Sequence, residues 1–207
     1  MMKGQFMNIR NEFSISPSGL LALVLLILSF FHLIACAPMS ETRQDLTAGL
    51  NGGFEVFQDG LPVNWQVYSP KTVPDAEFSL RPDTIEKREG RQSIRFDVDH
   101  CRSLGGRLSP GLATELPVTP GEMITVSFWM KQTGVVSIRS GAVSAHEGRV
   151  TEKIRQKGSS NQWARYTVTD SIPEPFTTYR FELSVLEPGT VYFDDFRMEQ
   201  PQPSLSK

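Results

Sequence analysis

Ile124-Thr125-Val126-Ser127-Phe128-Trp129-Met130-Lys131 alternates apolar and polar side chains along its whole length, with one indole, Trp129, on the polar side. Successive side chains of a strand point to opposite faces. Ile124, Val126, Phe128 and Met130 therefore share a core face, and Thr125, Ser127, Trp129 and Lys131 the other. Ile94-Arg95-Phe96-Asp97-Val98-Asp99 repeats the pattern, as does Tyr179-Arg180-Phe181-Glu182-Leu183-Ser184-Val185. Turn signals punctuate the chain at Gly105-Gly106, Thr119-Pro120-Gly121, Lys157-Gly158-Ser159-Ser160 and Glu187-Pro188-Gly189. Regularly spaced short strands with Gly and Pro turns predict an all-β fold, a two-sheet antiparallel β-sandwich. The most helix-like stretch is 147–157, where only Val150 and Ile154 stand at i,i+4.

The chain has 207 residues and a formal net charge of −2, from 21 basic and 23 acidic side chains that are interspersed. No basic stripe is present, so nothing in the composition supports nucleic-acid binding. The 16 glycines, 14 prolines and 13 phenylalanines suit a loop-rich β protein.

Leu20 to Ala35 carries no formal charge and follows Lys3 and Arg10, with Glu12 diluting the positive lead. It falls short of the about 20 apolar residues of a membrane-spanning helix and suits a signal-peptide core; a short transmembrane anchor is the competing reading. It ends in Leu33-Ile34-Ala35-Cys36, which resembles the bacterial lipobox. The resemblance implies cleavage before Cys36 and lipidation of its thiol and new amino group. Two or more acyl chains anchor stably where one does not. With Ala rather than Asp at position 37, it also implies an outer-membrane lipoprotein of the bacterial envelope, periplasmic or surface-exposed. With Cys36 acylated, Cys101 has no intrachain partner, so no disulfide framework is expected. His100 and Cys101 are strand neighbours that face apart, which disfavours a catalytic pair. The expected organisation is a signal peptide at 1–35, a lipidated Cys and flexible tether at 36–48, the sandwich at 49–200 and a disordered tail at 201–207.

The landmarks inside the sandwich come in a telling order. Asn51-Gly52-Gly53-Phe54-Glu55 and Gly60-Leu61-Pro62-Val63-Asn64-Trp65 open it. Gly90-Arg91-Gln92-Ser93-Ile94-Arg95 and the stretch from Pro120 to Lys131 follow. Trp163-Ala164-Arg165-Tyr166-Thr167-Val168 and Gly189-Thr190-Val191-Tyr192-Phe193-Asp194-Asp195-Phe196 close it. Over nearly all of 49–200 this resembles the jelly-roll carbohydrate-binding modules of the family 4/9/22 type, in the galactose-binding-domain-like superfamily. The resemblance implies a structural Ca²⁺ near the chain ends, held by Glu55 of the first strand, by Asp194 or Asp195 of the last, and by a carbonyl near Arg91. Period two puts Asp194 and Asp195 on opposite faces, so one of them, Asp194 by preference, is the expected ligand. The resemblance also implies that Trp65 and Trp163 pack on the core.

Sugar rings stack on aromatic platforms flanked by polar groups. Trp129, on the polar face of its strand, is the candidate platform. Lys131, Arg95, Asp97, Arg180 and Glu182 lie on polar faces of their own strands and are candidates for the same groove. Tyr68, near Trp65, is a loop candidate. Adjacent strand carboxylates diverge, unlike the facing pair that glycosidases need. No Ser-His-Asp order, P-loop or metalloprotease motif is present, and no enzymatic activity is expected. The expected function is a lipid-anchored, non-catalytic module binding a polysaccharide or glycan. The alternative is a structural lipoprotein docking another envelope protein.

Overall fold

The alternating stretches of the sequence are strands in the computed structural model, which describes residues 41–199. Expectations for residues 1–36 and 201–207 lie outside the described residues. Near the start, β1 is Glu41–Thr42, β2 Phe57–Gln58, β3 Leu61–Pro62 and β4 Gln66–Tyr68. Next come β5 Glu77–Asp83, β6 Ser93–His100, β7 Gly111–Pro117 and β8 Met123–Gln132. The chain closes with β9 Val136–Val143, β10 Gly148–Gln156, β11 Ser160–Ser171, β12 Thr178–Val185 and β13 Gly189–Glu199.

One sheet has six strands in the order β1-β4-β7-β12-β9-β10, the other five in the order β11-β8-β13-β6-β5, and β2-β3 form a small hairpin. The inward sets are those the alternation predicts: Ile124, Val126, Phe128 and Met130 of β8, Ile94, Phe96 and Val98 of β6, and Tyr179, Phe181 and Leu183 of β12, all buried. Phe193 of β13 packs at their centre, with ring centroids 5.2 Å from Phe128, 5.5 Å from Phe54 and 6.0 Å from Phe181. Trp65 closes one end edge-on to Phe196 at 5.2 Å, and its Nε1 donates to the Asn51 carbonyl at 3.2 Å. That bond explains the Asn-Gly-Gly opening. Asn51 sits at φ 48° and its side chain ties the loop to Val56 and Val63. A Cβ at Gly52 would stand 1.9 Å from the Phe196 carbonyl oxygen.

One expectation changes. Residues 41–48, expected to belong to a tether, are part of the folded unit: β1 pairs with β4, and a 3-10 turn at Leu46–Ala48 is capped by Asp45. Asn64 Nδ2 ties that turn down by donating to the carbonyls of Asp45 and Gly49. The helix-like 147–157 is edge strand β10, and a bulge between Glu152 and Ile154 breaks its register. Ile154 pairs with inward Ile138, while Val150 pairs with outward-facing Gly141. The i,i+4 spacing that suggests one helical face thus serves two sheet faces.

The bulge also sends Lys153 toward the interior, where its Nζ stands 2.6 Å from Asp170 of the other sheet. Asp170 accepts from Ser140 Oγ at 2.6 Å and from Tyr179 OH at 3.0 Å as well. Removing the acceptor would leave the buried Ser140 and Tyr179 hydroxyls with only each other and take the carboxylate from Lys153. Asp170→Ala should therefore cost about 3 kcal/mol in urea unfolding of the sandwich. A loss well under about 1 kcal/mol would show that this cluster does not clamp the sheets.

Candidate functional site

The outer face of the five-stranded sheet carries Trp129 and Lys131 of β8, Arg95 and Asp97 of β6, Arg165 of β11 and Tyr192 of β13. The turn between β5 and β6 folds across it. Asp83 Oδ1 starts that turn by accepting from the amides of Ile85 and Glu86, each at 2.9 Å. Asp194 holds its middle: Oδ2 accepts from the amides of Arg88 at 2.7 Å and Glu89 at 3.0 Å, and Oδ1 from Asp195 N at 2.7 Å. Glu55 holds its end, accepting from Arg91 N at 2.7 Å, Gln92 N at 3.3 Å and Arg91 Nε at 3.0 Å. Gly90 is required there: it sits at φ 63°, and a Cβ would stand 2.1 Å from Glu55 Oε1.

The sequence reading brought Glu55, Asp194 and the Arg91 region together, and the structure does the same, but with different chemistry. Glu55 lies in the coil before β2, not in a strand. The turn meets both carboxylates with amide N–H groups, and the Arg91 guanidinium closes on Glu55. Ca²⁺ takes six to eight oxygens, so this donor set, as arranged, fits amide hydrogens and not a cation. Among the described residues no group of three or more His, Cys, Asp or Glu could hold a metal ion. Asp194 and Asp195 also depart from strict alternation. A bulge sets Asp194 opposite Trp129 and Arg197 opposite Ser127, with Asp195 at φ 51°. Both carboxylates come to the outer side, and Asp195 pairs with Arg197 Nε at 2.5 Å.

Burial pushes the Asp194 carboxyl up to about 6, against the pull of the Glu89, Arg88 and Asp195 amides. Glu55 goes the other way: burial raises it, but the Arg91 amide and guanidinium and the Gln92 amide outweigh that and hold it below the usual range.

Trp129 is half-buried, with the Arg88 guanidinium stacked 3.9 Å from its ring centroid. A groove of about 440 Å³ opens beside it, lined by Arg88, Glu89, Trp129, Arg165, Asp195 and Arg197. Arg95, Asp97 and Lys131 share this sheet as expected, but they serve one another and the turn. Arg95 pairs with Asp97 at 2.7 Å and Asp83 at 3.3 Å, and Lys131 with Glu86 at 2.9 Å. Both cations flank the Tyr192 ring, at 5.1 and 5.4 Å. Trp65 is in the core; Trp163 is not. It lies half-buried at 6.2 Å from Tyr192 on this outer face, where β11 begins irregularly between Ser160 and Ala164.

Arg180, Glu182 and Tyr68 do not join Trp129. They belong to the six-stranded sheet and occupy the opposite outer face. Tyr68 is a β4 residue, fully buried, and not a loop residue. Its hydroxyl donates to Glu182 Oε2 at 3.0 Å and accepts from Arg180 Nη2 at 2.5 Å. Burial and the Glu182 charge push the phenol up to about 12. Arg180 Nη1 donates to Glu115 Oε1 at 2.6 Å and Gln66 Oε1 at 3.4 Å, and Arg139 Nη1 to Glu182 Oε1 at 3.4 Å. Two grooves meet at Glu115. One, of about 560 Å³, runs past Thr178, Arg180 and His146; the other, of about 390 Å³, runs past Gln66, Asn64 and Gln44. Gln66 and Glu115 escaped the sequence reading because β4 is too short to alternate and β7 buries four successive residues; Arg139 lies in β9, which is buried at six of its eight positions and shows no clean alternation.

No protein-family model matches this sequence, and no curated protein matches it. Solved structures match its fold. The CBM22-1 xylan-binding domain from Paenibacillus barcinonensis aligns at a TM-score of 0.52 and 10% identity, over 70% of this chain and 91% of that one. The CBM22-2 xylan-binding domain of the same organism aligns at 0.51 and 12%, over 70% and 96%. A CBM4 structure aligns at 0.50 and 14%, over 72% and 97%. The chain thus has the jelly-roll β-sandwich fold of carbohydrate-binding modules.

The Asp194 geometry sets a pH dependence. Its carboxyl titrates near 6 when folded against an ordinary 3.8, so the folded state holds the extra proton. That contribution is complete below the ordinary value and is lost as pH rises through about 6, up to about 3 kcal/mol in all. The wild-type sandwich should melt higher at pH 5 than at pH 7, and Asp194→Asn should flatten the difference. Added Ca²⁺ should leave the melting temperature unchanged at pH 7. A rise with Ca²⁺ that Asp194→Asn removes would mean that the turn presents carbonyls to a bound ion.

Proposed function

We propose that this chain is a lipid-anchored, non-catalytic carbohydrate-binding module of the bacterial cell envelope, taking a polysaccharide along the outer face of the six-stranded sheet. One observation carries the reading: the paired Arg180 and Glu115 stand where the two grooves meet, fixed from beneath by Tyr68 and Glu182. Sugars present vicinal hydroxyls, which donate to a carboxylate and accept from a guanidinium, and fixing those partners in advance lowers the ordering cost of binding. Gln66, Asn64, Gln44 and Thr178 extend the same donors and acceptors along the face. The fold supports the reading, since the xylan-binding domains above share it. The groove is assigned to this face and not to Trp129, whose ring is already capped by Arg88.

The lipobox at Cys36 supports the anchor. The anchor would present the module to a glycan of the envelope or one brought to it.

Cys36→Ser should move the protein from the membrane fraction to the soluble fraction and abolish incorporation of labelled fatty acid. Glu115→Ala, at a half-exposed side chain, should leave the melting temperature within a few degrees and weaken retention on neutral polysaccharides such as xylan by about tenfold or more. Retention lost in Trp129→Ala but kept in Glu115→Ala would move the site to the other sheet.

A further inference from the structure

The groove beside Trp129 has a use that the six-stranded face does not absorb. Four of the six arginines on the five-stranded sheet or its covering turn are matched to carboxylates. Arg81 pairs with Asp83 and Asp97, Arg91 with Glu55, Arg95 with Asp97 and Asp83, and Arg197 with Asp195 and Glu89. Arg88 and Arg165 have no carboxylate partner among the described residues, and both line this one groove. Its two acidic side chains, Glu89 and Asp195, are both taken by Arg197.

Both free guanidiniums are held in place. The Arg88 backbone amide is fixed by Asp194 and its guanidinium by stacking on Trp129. Stacking uses the face of the guanidinium and leaves its in-plane N–H fork open. Arg165 stands opposite Trp129 across the β11–β8 ladder and donates Nη2 to Ser127 Oγ at 3.1 Å. Two oriented forks beside a half-exposed indole, in about 440 Å³ of open space, match a carboxylate carried on a pyranose ring.

We propose that this groove is a second binding site, specific for the hexuronate residues of an acidic polysaccharide. Arg88 and Arg165 bridge the uronate carboxylate, and the Trp129 edge supports the ring. That the anion is carried on a glycan rests on the carbohydrate-binding reading; the anion site rests on the arginine geometry alone.

Affinity electrophoresis of the full chain in non-ionic detergent tests it, with polygalacturonate against its fully methyl-esterified form, which has the same backbone without the charge. The acid form should retard the protein and the ester should not. Arg88→Gln with Arg165→Gln should weaken that retardation about tenfold or more, and Arg88→Lys with Arg165→Lys should also weaken it by keeping charge but losing the fork. Arg102→Gln with Arg107→Gln removes the same charge from exposed arginines outside this groove and should have no effect. Equal retention of acid and ester, an equal loss in the Arg102/Arg107 pair, or no retention of polygalacturonate would overturn the proposal. Binding of anionic phospholipid vesicles through Arg88 and Arg165 in place of the polyuronate would overturn it as well. Xylan is run in parallel: its retention should survive the Arg88/Arg165 changes. Xylan failing alone would sink the six-stranded-face reading and leave this one standing.

Discussion

Strand β13 carries two consecutive residues on which both layers depend. Phe193 points inward and touches the rings of Phe54, Trp65, Phe128, Phe181 and Phe196, so it is the contact through which the sheets become one core. Asp194 points outward beneath the covering turn and accepts its amide hydrogens. β13 lies in the middle of its sheet, between β8 and β6, and neither residue has room to shift. Burying an aspartate costs free energy unless its oxygens are satisfied, and three N–H donors satisfy them. The turn is therefore held by a buried carboxyl group, which itself relies on two amides of the turn and on the Asp195 amide. That mutual dependence places Arg88 over Trp129.

The two outer faces put charge to different uses. On the five-stranded sheet most ion pairs join neighbouring strands or the turn, and exposed pairs of that kind are each worth about 0–1 kcal/mol. Their value lies in arrangement, since they consume the local carboxylates and leave Arg88 and Arg165 unmatched. On the six-stranded sheet the charges are sunk into the surface. Glu182 is buried among Tyr68, Arg180 and Arg139, and a buried ion group is costly to leave partly unpaired. The network therefore locks Arg180 and Glu115 at the junction of the grooves. Rigid polar groups of this kind suit ligands rich in hydroxyls, whereas open forks suit an anion.

Much of this was legible in the chain itself. The alternation in β6, β8 and β12 was enough for an all-β sandwich and for its inward residues, because a half-buried strand has a fixed period of two. Glu55, Asp194 and the segment before Ser93 were associated through the resemblance alone, as ligands of an ion, and the covering turn joins them by its amides. Bulges are where the reading failed. They bring Asp195 to the same side as Asp194 and turn the exposed Lys153 toward Asp170, because one extra residue reverses the parity of the strand. Trp163 was given to the core by resemblance alone, and it lies on the outer face with Arg165. Residues 41–48 looked like a tether because a two-residue strand and a single 3-10 turn carry no period to detect.

The sequence by itself determined which side chains of each regular strand face the core, since that depends only on local pleating. Strand order belongs to the tertiary structure. Arg95 and Arg180 stand in equivalent polar positions of similar strands, yet β6 enters the five-stranded sheet and β12 the six-stranded one. A single expected groove thereby becomes two faces on opposite sides of the core. Whether a turn meets a carboxylate with its N–H groups or its carbonyls was also decided only on folding. The backbone dihedrals of a turn are set by what it packs against, and here Asp194, Glu55 and the glycine at position 90 set them.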